Sequence, residues 1–185
     1  VGNYSAAVKI SELWYMIPIV INNSVFPAIL KARDTGNRIY YKRLQQLFNL
    51  LIWVAIFIAL PIHFFSNELI SLLYGKKFIL AGPVLSIHIW AAVFIFMNNT
   101  VQKWHIAENL TKLSLYRTAM GAILNISLNL VLIPKYEIIG AAWSTLISYA
   151  FVGYFSGLLF KETRPVVLLQ TKAFIFKSIF FNKRS

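Results

Sequence analysis

The chain has 185 residues, of which 58% are hydrophobic and 13% are charged, with a formal net charge of +12. A soluble domain has about 25% charged residues, so this composition argues against a soluble protein and indicates a membrane protein. The lack of cysteine excludes disulfides and thiolate metal sites, and the placement of positive charge between apolar stretches favours anionic lipids or an anionic substrate over nucleic acid.

Five apolar stretches predict five transmembrane helices. Each stretch has about 20 residues, which in a helix crosses a hydrocarbon core of about 30 Å. The alternation typical of strands is absent, and helices satisfy their own backbone hydrogen bonds in lipid. We therefore predict an all-α polytopic membrane protein in which residues 1–160 form transmembrane helices at about 6–30, 46–65, 84–104, 113–133 and 138–160.

The first predicted span is unusually polar and contains two prolines. Pro18 and Pro27 each remove a helical hydrogen bond, so we expect kinks there and regard both residues as hinge candidates. Polar residues inside a membrane usually face protein or water. The helix is therefore either bent for packing inside the bundle, or lines a water-filled cavity and bends as the protein moves. Its polar residues are Lys9, Glu12, Asn22 and Asn23.

The second predicted span lies between two contrasting segments. A basic loop at 31–45 precedes it, and the span is apolar from Leu50 to Leu60, which predicts a scaffold helix facing lipid. Residues 66–83 follow on the other side of the membrane. Within them we predict a short helix that ends at Gly75, has one apolar face and lies in the membrane interface.

The third and fourth predicted spans carry amides and cations. Asn98 and Lys103 lie near the end of the third span, and the fourth contains Arg117, Asn125 and Asn129. Asn125 and Asn129 are four residues apart and therefore share a helix face. These amides either join neighbouring helices or hydrogen-bond a polar substrate. Arg117 either binds substrate or extends its side chain towards the membrane surface.

A tight turn at residues 134–137 joins the fourth span to the fifth, in which small residues recur every four positions. Gly140, Ser144 and Ser148 form one such stripe, which is mainly a signal for close helix packing. Apolar and basic groups are interspersed in the remaining residues, 161–185. We predict that they form a basic amphipathic cytoplasmic tail on the inner leaflet.

The basic residues are distributed unequally between the two sides of the membrane. Fourteen of the eighteen Lys and Arg residues lie at 31–45, at 103–117 and in the tail, whereas the other side has only Lys9, Lys76, Lys77 and Lys135. Short loops rich in Lys and Arg stay in the cytoplasm. We therefore predict that the loops at 31–45 and 103–112 and the C-terminus are cytoplasmic, with residue 1 on the outer side.

The ionisable residues are too dispersed to form a catalytic centre. Acids and histidines are spread over both sides, and no metal-ligand spacing, nucleophile motif or phosphate-binding glycine loop occurs. We expect no enzymatic activity, no catalytic residue, no metal and no cofactor. The cations and amides would suit a ligand with phosphates and sugar hydroxyls. The candidate substrate-cavity residues are Lys9, Glu12, Asn22, Asn23, Asn98, Lys103, Arg117, Asn125 and Asn129.

Three segments together resemble a family of membrane flippases. They are YSAA at 4–7 followed by Lys9 and Ile10, LLYGKKF at 72–78 with AGPVL at 81–85, and NLVLIP at 129–134 with GAA at 140–142. In order and spacing they resemble the polysaccharide and O-antigen (Wzx-type) flippases of the multidrug/oligosaccharidyl-lipid/polysaccharide exporter superfamily. The resemblance covers most of residues 4–150 and aligns the chain with helices eight to twelve of that fold.

The resemblance implies a two-lobed, twelve-helix transporter with a central cavity that opens alternately to each side. Such flippases move undecaprenyl-diphosphate-linked oligosaccharides across the bacterial inner membrane, and their C-terminus is cytoplasmic. The implied partners are this lipid-linked sugar, a missing N-terminal lobe and other polysaccharide assembly proteins, and the charge adds anionic membrane lipids. Since one lobe cannot form a two-sided cavity, we expect these 185 residues to be a fragment that does not transport alone.

Three alternatives stay open. A drug or cation antiporter of the same superfamily would want acidic cavity residues, of which the chain offers only Glu12. A membrane enzyme of polysaccharide assembly, a polymerase or ligase, would be expected to carry a large outer loop with Arg and His, which residues 66–83 do not provide. A non-transporting truncated membrane protein is the third, since the chain starts at Val1 instead of Met.

Overall fold

The computed structural model describes residues 2–175, and helix is its dominant conformation. Helices make up 91% of these residues, and no strand occurs among them. The fold class predicted from the sequence, an all-α membrane protein, is therefore confirmed. Residue 1 and residues 176–185, which include Lys177, Lys183 and Arg184 of the predicted tail, lie outside the described range.

The described residues form eight α-helices joined by short turns. These are α1 (Gly2–Glu12), α2 (Met16–Thr35), α3 (Asn37–Phe64), α4 (Ser66–Tyr74), α5 (Ala81–His88), α6 (Ala91–Ala107), α7 (Thr111–Gly153) and α8 (Arg164–Ala173). By length and composition, four helical stretches could cross a membrane: Gly2–Thr35, Asn37–Phe64, Ala81–Ala107 and Thr111–Leu158. The short helix predicted before Gly75 is confirmed as α4.

Helix α7 contains a reversal of chain direction and consists of two antiparallel arms. Glu137 has φ 51° and ψ −129°, which no helix allows, so the arms are residues 111–136 and 138–153. A Cβ atom on Gly140 would overlap the carbonyl of Leu132, and one on Gly121 would overlap Val152. Glycine is needed at both positions because the arms pack this closely. The arms correspond to the fourth and fifth predicted spans.

The first predicted span is interrupted one turn before its first proline. Residues Leu13–Tyr15 form a 3-10 turn between α1 and α2. Pro18 has no N–H group to donate to the Trp14 carbonyl, which instead accepts a bond from the Met16 N–H. At Pro27 the helix continues without interruption. Only the first proline is therefore accompanied by an interruption of the helix. The hinge roles of both prolines stay a prediction.

Two apolar clusters hold the bundle together. The larger joins α2, α3 and α6, and the smaller joins α1, α5 and the second arm of α7. Helix α3 contributes to both, with Leu51 in the larger cluster and Ala59 in the smaller, while its Leu50 and Phe57 are 50% and 65% exposed. The expectation that this helix simply faces lipid was too coarse, because a 28-residue helix with apolar residues on every side can bury one face and leave the other to lipid.

Helix α8 packs against the bundle through hydrogen bonds to its carbonyl groups. Gln45 Nε2 donates to the Leu169 carbonyl (2.9 Å), and Trp53 Nε1 donates to the Ala173 carbonyl (3.1 Å). Because Gln45 and Trp53 are eight residues apart on α3, α8 lies along that helix towards its apolar middle. The surface position of the tail was predicted from its interspersed apolar and basic residues, and it stays a prediction. Over residues 164–173, protein covers one side of the helix.

A polar cluster joins two loops at one end of the bundle. Arg33 Nη2 donates to Glu108 Oε2 at 3.0 Å, and the Tyr40 hydroxyl donates to Glu108 Oε1 at 3.2 Å. The Arg33 guanidinium also lies 5.7 Å from the centre of the Tyr40 ring. The segments around 31–45 and 107–111 therefore lie at the same end of the bundle, as the predicted topology requires.

Candidate functional site

Helix α6 carries two stripes of side chains that face different neighbours, one of amides and the other of a lysine with apolar residues. Asn98 and Gln102 are four residues apart and form one stripe, while Lys103 lies one position later and begins the other, with Ile106 and Ala107. Consecutive helical residues point about 100° apart. The first stripe therefore faces the two arms of α7, and the second faces α2.

The groove between α2 and α6, which we call the lysine groove, has a volume of about 280 Å³. Lys103 is half-buried in it, and no residue within 2–175 pairs with its ammonium group. Such a charge next to an apolar bundle is retained where water or an anion can reach it. The lining residues are Asn22, Asn23, Phe26, Pro27, Leu30, Lys103, Ile106 and Ala107.

The two asparagines of this groove have different surroundings. Asn22 is only 1% exposed. Its Nδ2 donates to the Pro18 carbonyl (2.7 Å), and its Oδ1 accepts a bond from Thr100 Oγ1 (3.1 Å). Asn23 is exposed, and no bond from it occurs in the described part of the chain. Asn22 therefore joins α2 to α6, whereas Asn23 is free to contact a ligand.

The groove between α6 and the arms of α7, which we call the amide groove, is larger, at about 440 Å³. The described side chains that line it are amides, hydroxyls and apolar groups, and none of them is a Lys, Arg, Asp or Glu. The lining residues are Asn98, Gln102, Thr118, Gly121, Ala122, Asn125, Thr145, Ser148, Tyr149 and Val152.

Some polar groups of the amide groove are already paired. Asn125 Oδ1 accepts a bond from Asn129 Nδ2 at 2.9 Å, so these two residues share a face as their spacing predicted. The Thr145 hydroxyl contacts the Tyr4 hydroxyl at 3.2 Å. Within residues 2–175, Asn98, Gln102 and the Tyr149 hydroxyl make no hydrogen bond, so these groups are available to a ligand.

Arg117 lies outside both grooves and is only 3% exposed. Its Nε donates to Ser156 Oγ (2.8 Å), and its Nη2 donates to the Val152 carbonyl (2.6 Å). Its Nη1 lies 3.2 Å from His105 Nε2. Because guanidinium only donates, this ring nitrogen accepts and the proton lies on His105 Nδ1. The geometry matches neither interpretation of Arg117 from sequence, since the side chain neither reaches a groove nor extends to the surface.

The remaining candidates lie at the margins. Lys9 and Glu12 are exposed on α1, and the Glu12 carboxylate interacts electrostatically with Tyr149 of the amide groove. Asn129 lies one turn beyond Asn125 and contacts the groove only through it. Five of the nine predicted cavity residues thus line the two grooves. They are Asn22, Asn23 and Lys103 in the lysine groove, and Asn98 and Asn125 in the amide groove.

Sequence reasoning did not include Gln102, Thr145 and Tyr149 among the candidates. Gln102 follows Asn98 by four residues and Tyr149 follows Thr145 by four, so helical spacing could have indicated both pairs. Among the described residues, no group of three or more His, Asp or Glu side chains could hold a metal ion.

Comparisons with known proteins agree on one family. The family model described as MatE matches residues 1–131. The chain is 24% identical to a probable low-salt glycan biosynthesis flippase, Agl15, and 30% identical to a probable flippase, AglR, both of Haloferax volcanii. These alignments cover 81% and 80% of the chain and 32% of each relative, so the chain spans about a third of their length.

A third relative is an uncharacterized membrane protein of Methanocaldococcus jannaschii. It is 30% identical over 50% of the chain, and the alignment covers 18% of that protein. No solved structure matches the chain.

Proposed function

The chain belongs to the MatE family of the multidrug/oligosaccharidyl-lipid/polysaccharide exporter superfamily, and on this premise we propose that it forms part of a flippase for lipid-linked glycans. Two of its relatives are named as flippases, one of them for glycan biosynthesis, which supports the proposal. The observation that carries it is the pair of grooves on either side of α6, where Lys103 in one groove and the amides of Asn98 and Gln102 in the other pair with no residue within 2–175.

The chemistry of these grooves fits a head group that contains phosphate and sugar. An ammonium group attracts phosphate, and side-chain amides both donate to and accept from sugar hydroxyls. We propose undecaprenyl-diphosphate-linked polysaccharide or O-antigen repeat units as the substrate and the bacterial inner membrane as the location, with the C-terminus in the cytoplasm and residue 1 in the periplasm. The polyprenyl chain would stay in lipid while the head group occupies the grooves.

Movement of such a head group requires alternating access and no covalent chemistry. In this proposal a second lobe, the missing N-terminal one, completes the cavity, and rocking of the lobes exposes the grooves to each side in turn. The interruption at residues 13–15 before Pro18 is the position at which α1 and α2 would change their angle. Loss of rigid helical hydrogen bonds there makes bending easier than in a continuous helix.

Complementation tests the proposal. The complete reading frame that encodes this chain should restore surface polysaccharide in a flippase-null bacterial strain. Lys103→Gln should reduce restoration by about tenfold, because a charge-assisted bond to phosphate contributes roughly 1.5–3 kcal/mol. Lys112→Gln, the same change at an exposed position outside both grooves, is the matched control and should restore fully. Full restoration by the combined Lys103→Gln and Asn23→Leu variant would overturn the assignment of the lysine groove.

A further inference from the structure

We propose that the amide groove is a binding site for the first uncharged sugar of the head group and sets which glycan the protein accepts. The inference rests on the proposed function, because it assumes that the ligand is a lipid-linked glycan. It goes beyond it by separating the recognition of sugar from the recognition of phosphate. Each task falls to one of the two grooves that flank α6.

The composition of the amide groove favours an uncharged ligand with many hydroxyl groups. Asn98, Gln102 and Asn125 provide amides, and Thr118, Thr145 and Tyr149 provide hydroxyls, while no Lys or Arg within residues 2–175 lines the groove. An anion placed there would lose hydration without gaining a cation. A sugar hydroxyl donates and accepts, and so does each amide, so the two match without any net charge.

The groove also contains polar groups that form no hydrogen bond with any other described residue. The amides of Asn98 and Gln102 make no hydrogen bond within residues 2–175, and Asn125 uses only its oxygen there. Tyr149 is 38% exposed and adds an apolar ring beside them. Sites for small molecules combine apolar surface with a few polar groups in about 300–1,000 Å³. The 440 Å³ of the amide groove lies within that range.

Helix packing alone does not account for these side chains. The Thr118 hydroxyl donates to the Ser114 carbonyl and the Ser148 hydroxyl to the Ser144 carbonyl, each within its own helix arm. Amides that stabilise helix packing would instead form hydrogen bonds across the groove to the facing helix. Among the described lining side chains, the contact of Thr145 with Tyr4 is the one hydrogen bond to another helix, and that partner lies on α1.

The position of the groove relative to Lys103 suits a phosphate joined directly to a sugar. Gln102 and Lys103 are consecutive on α6, so their side chains leave the same level of the helix in directions about 100° apart. One head group that passes around this side of α6 can place its phosphate at Lys103 and its first sugar at Gln102.

Binding measurements on the complete protein in lipid nanodiscs test the inference. The probes are undecaprenyl diphosphate alone and the same lipid carrying glucose, galactose or N-acetylglucosamine. The wild type should bind at least one sugar-bearing lipid more tightly than the bare lipid. Asn98→Leu and Gln102→Leu should each reduce this preference about fivefold, roughly one hydrogen bond, and leave the affinity for the bare lipid unchanged.

Matched variants separate the outcomes. Gln46→Leu makes the same change at an exposed position of α3 outside both grooves and should keep the preference. Lys103→Gln should weaken binding of all four lipids by a similar factor. If the wild type binds none of them, the proposed function fails. If it binds all four equally, or if Asn98→Leu and Gln102→Leu keep the preference, the sugar site is wrong while the proposed function stands.

Discussion

Arg117 shows how the surroundings of one side chain decide its role. The residue is buried, and all three of its bonding nitrogens face groups of the protein itself. The Val152 carbonyl belongs to the end of the second arm of α7, and the Ser156 hydroxyl belongs to the 3-10 turn Phe155–Leu158 that follows it, whereas Arg117 itself lies on the first arm. Arg117 therefore holds the two arms together where the chain leaves α7, and His105 links both to α6.

Replacement of Arg117 by methionine should destabilise the protein. The variant keeps most of the apolar stem and removes three hydrogen bonds, each worth on the order of 1 kcal/mol in a membrane protein. Ser156 Oγ and His105 Nε2 lose their donor, while the Val152 carbonyl keeps the bond from the Ser156 hydroxyl (3.1 Å). We expect the free energy of unfolding to fall by about 2–3 kcal/mol, measured by titration with SDS in mixed micelles. Lys112→Met, an exposed change one to two turns earlier, should have little effect.

A lysine at this position distinguishes a structural role from a substrate-binding one. Arg117→Lys keeps the charge and cannot form the three-way contact, because the ammonium group lacks the planar fork of guanidinium. It should therefore be destabilised almost as much as Arg117→Met. If the variant has normal stability and weakened lipid binding, Arg117 binds substrate instead.

The sequence could predict contacts between residues that are close in the chain, and little beyond that. Asn125 and Asn129 lie four apart, so helical geometry alone brings their amides together, and the observed bond is 2.9 Å. Arg117 is 35 and 39 residues from Val152 and Ser156. Such distant partners depend on how the helices pack, and no local pattern indicates that.

At the scale of elements, the two arms of α7 pack closely against each other. A Cβ placed on Gly121 would lie 3.5 Å from the Val152 Cβ. Disulfide-bonded cysteines have Cβ atoms about 3.5–4.5 Å apart. These 185 residues contain no cysteine, so in a parent protein in which any other cysteine has been replaced, an introduced pair can react only with itself.

The double variant Gly121→Cys/Val152→Cys should form a disulfide under mild oxidation. Measurement of free thiols with a maleimide-polyethylene glycol reagent should show two reactive thiols before oxidation and none after it. Ile123→Cys/Val152→Cys is the matched control, because Ile123 is 66% exposed on the other side of the same arm. Its thiols should stay free. Equal oxidation of both pairs, or of neither, would contradict the antiparallel packing of the arms.

The positions of turns were easier to predict than the helix against which each element packs. The turn at 134–137 combines a proline with polar neighbours and is confirmed by the reversal at Glu137. The position of α8 was harder, because its basic residues argued for the membrane surface. Its hydrogen bonds to α3 come from Gln45 and Trp53, which donate to backbone carbonyls of α8. Every residue has such a carbonyl, so the sequence of α8 gives no sign of this contact.

At the scale of the whole molecule, the unequal distribution of Lys and Arg agrees with the arrangement of the loops. The ion pair between Arg33 and Glu108 holds two basic segments at one end of the bundle. Helix α3 runs from that end to α4, which is followed by the short turn Lys76–Phe78. The sequence predicts from charge counts which end faces the cytoplasm, and this orientation stays a prediction. The sequence could not predict which helices touch, because lipid gives apolar faces no preference for one another.

Cysteine accessibility tests the orientation of the whole bundle. Lys77→Cys and Tyr136→Cys should react with a membrane-impermeant maleimide in intact cells, whereas Asn37→Cys and Thr111→Cys should react only after permeabilisation. All four positions are exposed, so burial does not limit the reaction and the difference reports the side of the membrane. The opposite pattern would invert the predicted orientation. Labelling of Asn37→Cys and Lys77→Cys from the same side would mean that α3 does not cross the membrane.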